Sequence, residues 1–270
     1  MNPKKLLFHD DARAKIRSGV DALAEDGGVD SPYRALYALE AGTLGRVVHF
    51  ESHFDRYRPQ VLDRWRDKNL PGSGLWLDLG SHLLDQCLVL LGVPDELMLD
   101  LAAQRDGAQV HDCFHAQLRY DSLQPGLRAV LHAGALVPAG SPRFAVHGTR
   151  GSFIKHGMDT QEDALKAGRR PQLAALADWG LDPQPGEVVN WEDGQRVSRP
   201  APEARGCYPA LYAQLRDCLL ARRGGLPADA ALLPAPPVSA LEVRQLMALL
   251  SRGEQSAREG RWVPCADLRA

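Results

Sequence analysis

The chain has 270 residues, 44% of them hydrophobic and 24% charged, with 32 basic against 34 acidic residues and a formal net charge of -2. This is an ordinary globular composition with enough chain for a sizeable core in one or two domains, and the scattered basic residues exclude the electrostatic footprint of a nucleic-acid binder. Charges break every apolar run well before the roughly 20 residues of a bilayer span, and MNPKKLLFHDDARAK holds too short an apolar stretch for a secretory signal, so a cytoplasmic protein with no membrane partner is expected.

In chain order, HDDARAKIRSGVDALAE carries Ala12, Ile16, Val20, Leu23 and Ala24 at helical spacing behind a capping Asp. The glycines and proline of EDGGVDSP end that helix, and YRALYALEAGTLG supplies a second one closing at Gly42. In RVVHFESHFDRY, Val48, Phe50 and Phe54 alternate with His49, Glu51, His53 and Asp55, the period of a half-buried strand with one ionisable face. From Trp76 to Leu91 the apolar residues recur at helical intervals, which predicts a helix carrying Asp78, His82 and Asp85 along one stripe. ELMLDLAAQRD, CFHAQLRYDS, LRAVLHAGALV and PRFAVHGTRGSFIKHG read as successive strands, with HGTRGSF a hairpin and no phosphate loop. GLDPQPGE and VSRPAPEARG read as loops, and YPALYAQLRDCLLARRGG and SALEVRQLMALLSRGEQSAREG as closing helices. This order argues an α+β fold, a largely antiparallel open sheet with helices on one face.

Five cysteines, Cys87, Cys113, Cys207, Cys218 and Cys265, are odd in number and widely spaced, which fits reduced thiols and neither a disulfide framework nor a zinc knuckle. The alternating His49, Glu51, His53 and Asp55 offer imidazole and carboxylate donors, but a polar strand face at a subunit contact explains them without an ion. His111 and His115, four apart on a strand, lie too far from each other for easy chelation. No metal site is expected. The strands leave Phe114, Leu118, Val130 and Leu131 on a face that needs covering, so a homodimer or larger homo-oligomer joined through the sheet is expected.

GTLGRVVHFESHFDRYRP, the RWR at Arg64 to Arg66, PGSGLWLDLGSHLLDQCLVLLG, FAVHGTRGSFIKHGMDTQED and SAREGRWVP together resemble the C-terminal part of the Gfo/Idh/MocA oxidoreductases, from about Tyr33 to Pro264. The resemblance implies an N-terminal Rossmann domain that binds NAD or NADP, followed by an α+β domain that holds a sugar or polyol and builds the oligomer interface. The family's D-x-x-x-H falls on Asp78 and His82 as catalytic residues, and the following Asp on Asp85, which with Arg56, Tyr57, Arg58, Trp65 and Arg66 would contact substrate. An imidazole suits the task, because oxidising a secondary alcohol needs a proton acceptor near neutrality. The bland alternative is that His82 satisfies a helix and Asp85 pairs with a surface Arg.

The family's catalytic Lys is matched by neither Lys4 nor Lys5, and no glycine-rich turn precedes Tyr33. The chain is therefore expected to bind no nicotinamide cofactor alone. Three readings follow: a remnant substrate-binding domain, half of a split oxidoreductase completed by a separate Rossmann chain, or a non-enzymatic dimerisation module. Residues 1–32 read as a helical extension of uncertain origin, 33–264 as the α+β domain and 265–270 as a tail. Residues 3–25 also faintly resemble the opening of a group I chaperonin.

Overall fold

The computed structural model describes residues 42–172, 179–202, 205–223 and 238–269. The two helices expected before Gly42 and the chaperonin-like stretch lie outside them. Among the described residues, nine strands form one sheet in the order β8-β7-β6-β5-β1-β4-β3-β2-β9. The strands are β1 (Val47–His53), β2 (Glu96–Ala102), β3 (Cys113–Arg119), β4 (Arg128–Gly134), β5 (Phe144–Gly148), β6 (Gly151–Lys155), β7 (Glu187–Glu192), β8 (Gln195–Pro200) and β9 (Val263–Pro264). Every pairing is antiparallel except that of β1 with β4, so β2-β3-β4 and β5-β6-β7-β8 are two meanders joined through β1. The expected α+β class and open sheet are what the structure shows.

Helices α1 (Ser81–Leu91) and α4 (Ala240–Glu259) cover one sheet face. Between them α2 (Gln161–Lys166) is a short helix that the sequence reading did not foresee, and α3 (Tyr208–Arg223) one that it did. The core joins Leu83, Leu84 and Leu90 of α1 to Phe50, Phe114, Leu118 and Leu131 of the sheet, all fully buried. This corrects the expected apolar face: Phe114, Leu118 and Leu131 lie under the helices, and only Val130 points to the other side, which is instead lined by Glu51, His53, Gln117 and His132. The argument for assembly from uncovered apolar strands therefore falls.

Three local departures have physical causes. In β1 a register shift between Val47 and His49 buries Val47 and leaves Val48 partly exposed, so strict alternation starts only at His49. The helix expected from Trp76 opens with a π turn, Trp76–Gly80, before α1 proper. The fully buried Trp76 indole lies over Gly80, where a Cβ would come within 2.5 Å of the ring, and it donates from Nε1 to the Leu250 carbonyl at 3.1 Å. Finally, the loop expected over VSRPAPEARG is in part strand, because β7 and β8 form a hairpin turned at Asp193 and Gly194, both at positive φ (48° and 76°). An Asp-Gly between strands is a strong hairpin signal that could have found it.

Candidate active site

An open cleft of about 1030 Å³ lies at the end of the sheet where β1 and β6 finish and β5 begins. Beyond β1 the chain stays extended, so Arg56 and Arg58, two residues apart, both line the cleft while Tyr57 does not. Tyr57 is 60% exposed and bridges to Leu136 on the outer side. The RWR turn contributes Arg64 and Arg66 to the wall and leaves Trp65 outside it, 56% exposed. The π turn and α1 add Asp78, His82 and Gln86.

Asp78 is held by Arg66, whose Nη1 donates to both carboxylate oxygens at 2.9 Å. His82 reaches solvent within the cleft, its ring tilted against Phe54 with centroids 6.3 Å apart. Burial of part of the ring pushes its pKa below 6.5; the Asp78 carboxylate opposes this, and the Arg143 and Arg56 guanidinium groups reinforce it. The shift favours the neutral imidazole, the form that accepts a proton. Phe54 has the guanidinium of Arg143 over its ring at 3.6 Å and that of Arg56 at 4.3 Å, and Arg143 donates from Nη1 to the His53 carbonyl at 2.8 Å. These contacts fix two cations at the mouth of the site by cation–π attraction. Burial, and next the neighbouring Arg58 charge, lower the Arg56 pKa.

Asp85 is not brought to the cleft. It sits part-buried on α1, its carboxyl pushed up by burial and by the nearby Glu242 of α4. Gln86 lines the wall there instead, accepting a hydrogen bond from Ser52 Oγ at 2.7 Å. The structure therefore joins Asp78, His82, Arg56 and Arg66 in one cleft and leaves Asp85, Tyr57 and Trp65 outside its lining. Arg58, expected near the substrate together with Arg56, also lines the cleft, whereas sequence reasoning missed Arg64, Arg143 and the 157–166 segment that closes the far side. Nothing local marked Arg143, which arrives by the pairing of β5 with β1.

The wall made by residues 56–67 is tied down from behind. Arg105 donates from Nε to Asp112 at 2.7 Å, from Nη2 to Asp67 at 2.7 Å and from Nη1 to the Gln60 carbonyl at 3.1 Å. Burial raises the Asp112 carboxyl, but hydrogen bonds from the Gln104 amide and from Arg105 outweigh it and hold the pKa below the usual carboxylate value. Gly74, at φ +93°, packs against His111; a Cβ there would lie 2.4 Å from ring atoms of that histidine. His111 thus belongs to this wall, whereas His115 stands on the uncovered sheet face beside His132.

Residues 37–265 match the family model described as "Oxidoreductase family, C-terminal alpha/beta domain". The chain belongs to the Gfo/Idh/MocA oxidoreductase family. It is 43% identical over 250 residues to the uncharacterized oxidoreductase YdgJ of Escherichia coli, covering 92% of this chain and 67% of that one. It is 35% identical to the scyllo-inositol 2-dehydrogenase (NADP(+)) IolW of Bacillus subtilis, covering 83% of this chain and 58% of that one. Among solved structures, YPO2259, a candidate oxidoreductase from Yersinia pestis, superposes with a TM-score of 0.74 at 46% identity, over 87% of this chain and 62% of that one. The chain thus spans about two thirds or less of the length of these relatives. A separate match, 43% identical over 63 residues, is to Chaperonin GroEL 2 of Albidiferax ferrireducens, and covers 9% of that protein.

The family's reactions use NAD or NADP. A pyrophosphate is received by a glycine-rich turn opening onto a helix N-terminus, and the described residues build no such unit. No helix among the described residues is long and apolar enough to cross a membrane.

Proposed function

We propose that this chain is the part of an NAD(P)-dependent oxidoreductase that binds a sugar or polyol, with Asp78 and His82 at the reacting hydroxyl or carbonyl. The observation that carries this reading is that the D-x-x-x-H pair opens onto a cleft whose lining includes Arg56, Arg58 and Arg66, hydrogen-bond donors suited to hydroxyl oxygens. Hydride chemistry belongs to a dinucleotide-binding domain outside the described residues, so the chain's own share is binding and the proton. A neutral His82 takes that proton when the hydroxyl is oxidised and returns it on reduction. Arg66 fixes the Asp78 carboxylate, which in turn stabilises the imidazolium as it forms. The sugar or polyol class is supported by the name of the Bacillus subtilis relative.

Calorimetric titration of the full chain with scyllo-inositol, myo-inositol and D-glucose tests the binding. We expect one of them to bind more tightly than about 10 mM, and Arg66→Met to weaken it about ten-fold, while NADPH alone binds no more tightly than about 1 mM, or roughly -4 kcal/mol. Binding of none of the three, or binding unchanged by R66M, refutes the reading.

A further inference from the structure

On the sheet face away from the helices, β1 and β4 bring together three donors that the cleft does not use. His53 Nδ1 lies 3.6 Å from Asp55 Oδ2, and His132 Nδ1 lies 2.7 Å from Asp55 Oδ1. The ligand-type atoms of His53, Asp55 and His132 all fall within 4.8 Å of one another. The sequence offered His49, Glu51, His53 and Asp55 as a strand face; the parallel pairing of β1 with β4 replaces the first two with His132, directly opposite His53.

The groups around these donors are arranged as they are around a metal. Ligating histidines almost always donate their second ring N–H to a carboxylate or carbonyl, which fixes the tautomer. His53 Nε2 is 2.9 Å from Glu51 Oε2, and a carboxylate only accepts, so the hydrogen is on Nε2. Nδ1 faces the Asp55 carboxylate, buried with no hydrogen-bond partner, and in the neutral ring it carries the lone pair. In the neutral ring these two electron-rich atoms, 3.6 Å apart, leave room for a cation between them. Asp55 is itself pre-set, accepting from the Gly134 amide at 2.9 Å and from Ser141 Oγ at 2.5 Å. A tetrahedral zinc with bonds of about 2.0–2.1 Å separates its ligands by roughly 3.3–3.4 Å, close to the His53 to Asp55 distance. His132 would have to give up its hydrogen bond to Asp55 and retreat by about 0.6 Å.

We propose that His53 Nδ1, Asp55 and His132 Nδ1 bind one divalent transition-metal ion, zinc by their donor set, with Glu51 orienting His53 and a fourth position open to water. The site rests on no feature of the cleft and stands or falls separately from the proposed function. Cys113 Sγ approaches His132 from the opposite ring nitrogen, Nε2, at 3.7 Å, so it is not a ligand to the same ion.

The test is titration of chelator-treated full chain with zinc against a fluorescent competing chelator, repeated with cobalt for its visible spectrum. We expect one equivalent per chain, weakened about ten-fold or more by His53→Gln and by His132→Gln, weakened by Glu51→Gln, and unchanged in Cys113→Ser. Cobalt should give weak ligand-field bands with no thiolate charge-transfer band. Absence of a one-equivalent site in the parent chain overturns the proposal, as does binding that survives His53→Gln or a thiolate band in the cobalt spectrum. If His132→Gln does not fold, His53→Gln and the cobalt spectrum of the parent chain decide the matter.

Discussion

Replacing Arg105 by Met isolates the network behind the cleft wall. The Arg105, Asp67 and Asp112 side chains are 7%, 8% and 2% exposed, so the substitution strands two carboxylates that water hardly reaches. Removing one partner of a buried ion pair costs about 3–5 kcal/mol. Here Asp112 keeps the Gln104 and Arg105 amides, at 2.7 and 3.2 Å, and Asp67 keeps Arg64 at 3.1 Å, which places the loss at the lower end. Arg64→Met is the control, because that guanidinium is 42% exposed and such pairs contribute about 0–1 kcal/mol. In urea unfolding followed by circular dichroism, a loss of about 3 kcal/mol moves the midpoint by about 1 M or more at an m-value of 1–3 kcal/mol/M. A loss below about 1 kcal/mol for Arg105→Met, or one equal to that of Arg64→Met, refutes the reasoning.

The depressed Asp112 carboxyl adds stability that is complete above the unfolded value of about 3.9 and is lost as pH falls from there through the folded pKa. Asp112→Asn should therefore flatten the pH dependence of unfolding below about pH 4, and parallel profiles would count against this. Gly74→Ala, at φ +93° and with a Cβ 2.4 Å from His111, should destabilise more than Gly72→Ala, at φ +83° with open space; thermal unfolding of the two compares them directly. His82 should titrate below 6.5 by NMR, and His82→Ala should change stability by no more than about 0.5 kcal/mol, since the ring reaches solvent. A loss well above 1 kcal/mol would make His82 a structural residue.

What the sequence revealed tracks how local each cause is. The periodic apolar residues of α1, α3 and α4 and the alternation of β2 and β3 come from neighbours along the chain, and all were readable. The β7–β8 hairpin turns at Asp193-Gly194, between two proline-containing stretches that read as loops. At the site, the D-x-x-x-H pair was visible as an ionisable stripe in an apolar helix, and the structure sets both residues on the cleft. Asp85 looked equivalent by spacing, yet α4 lies against its side of α1, which no reading of residues 76–91 alone could reveal. The meeting of His53 with His132 was hidden for the same reason, since it depends on a parallel pairing between distant strands.

The place of β1 at the seam of the sheet has a consequence for how the chain reaches its native state. The β2-β3-β4, β5-β6 and β7-β8 pairings can zip up from neighbouring strands, whereas β1 finds both its neighbours, β4 and β5, only after the longest intervening stretches have been made. Closing such loops costs entropy before any pairing rewards it, so β1 is the strand that docks last. As the chain is synthesised, Val47 and Phe50 emerge before any partner exists, and until β5 arrives β1 and β4 each present an open edge to other chains. Mispairing during folding should therefore concentrate at this one strand, the same strand that delivers Phe54 and Arg56 to the cleft.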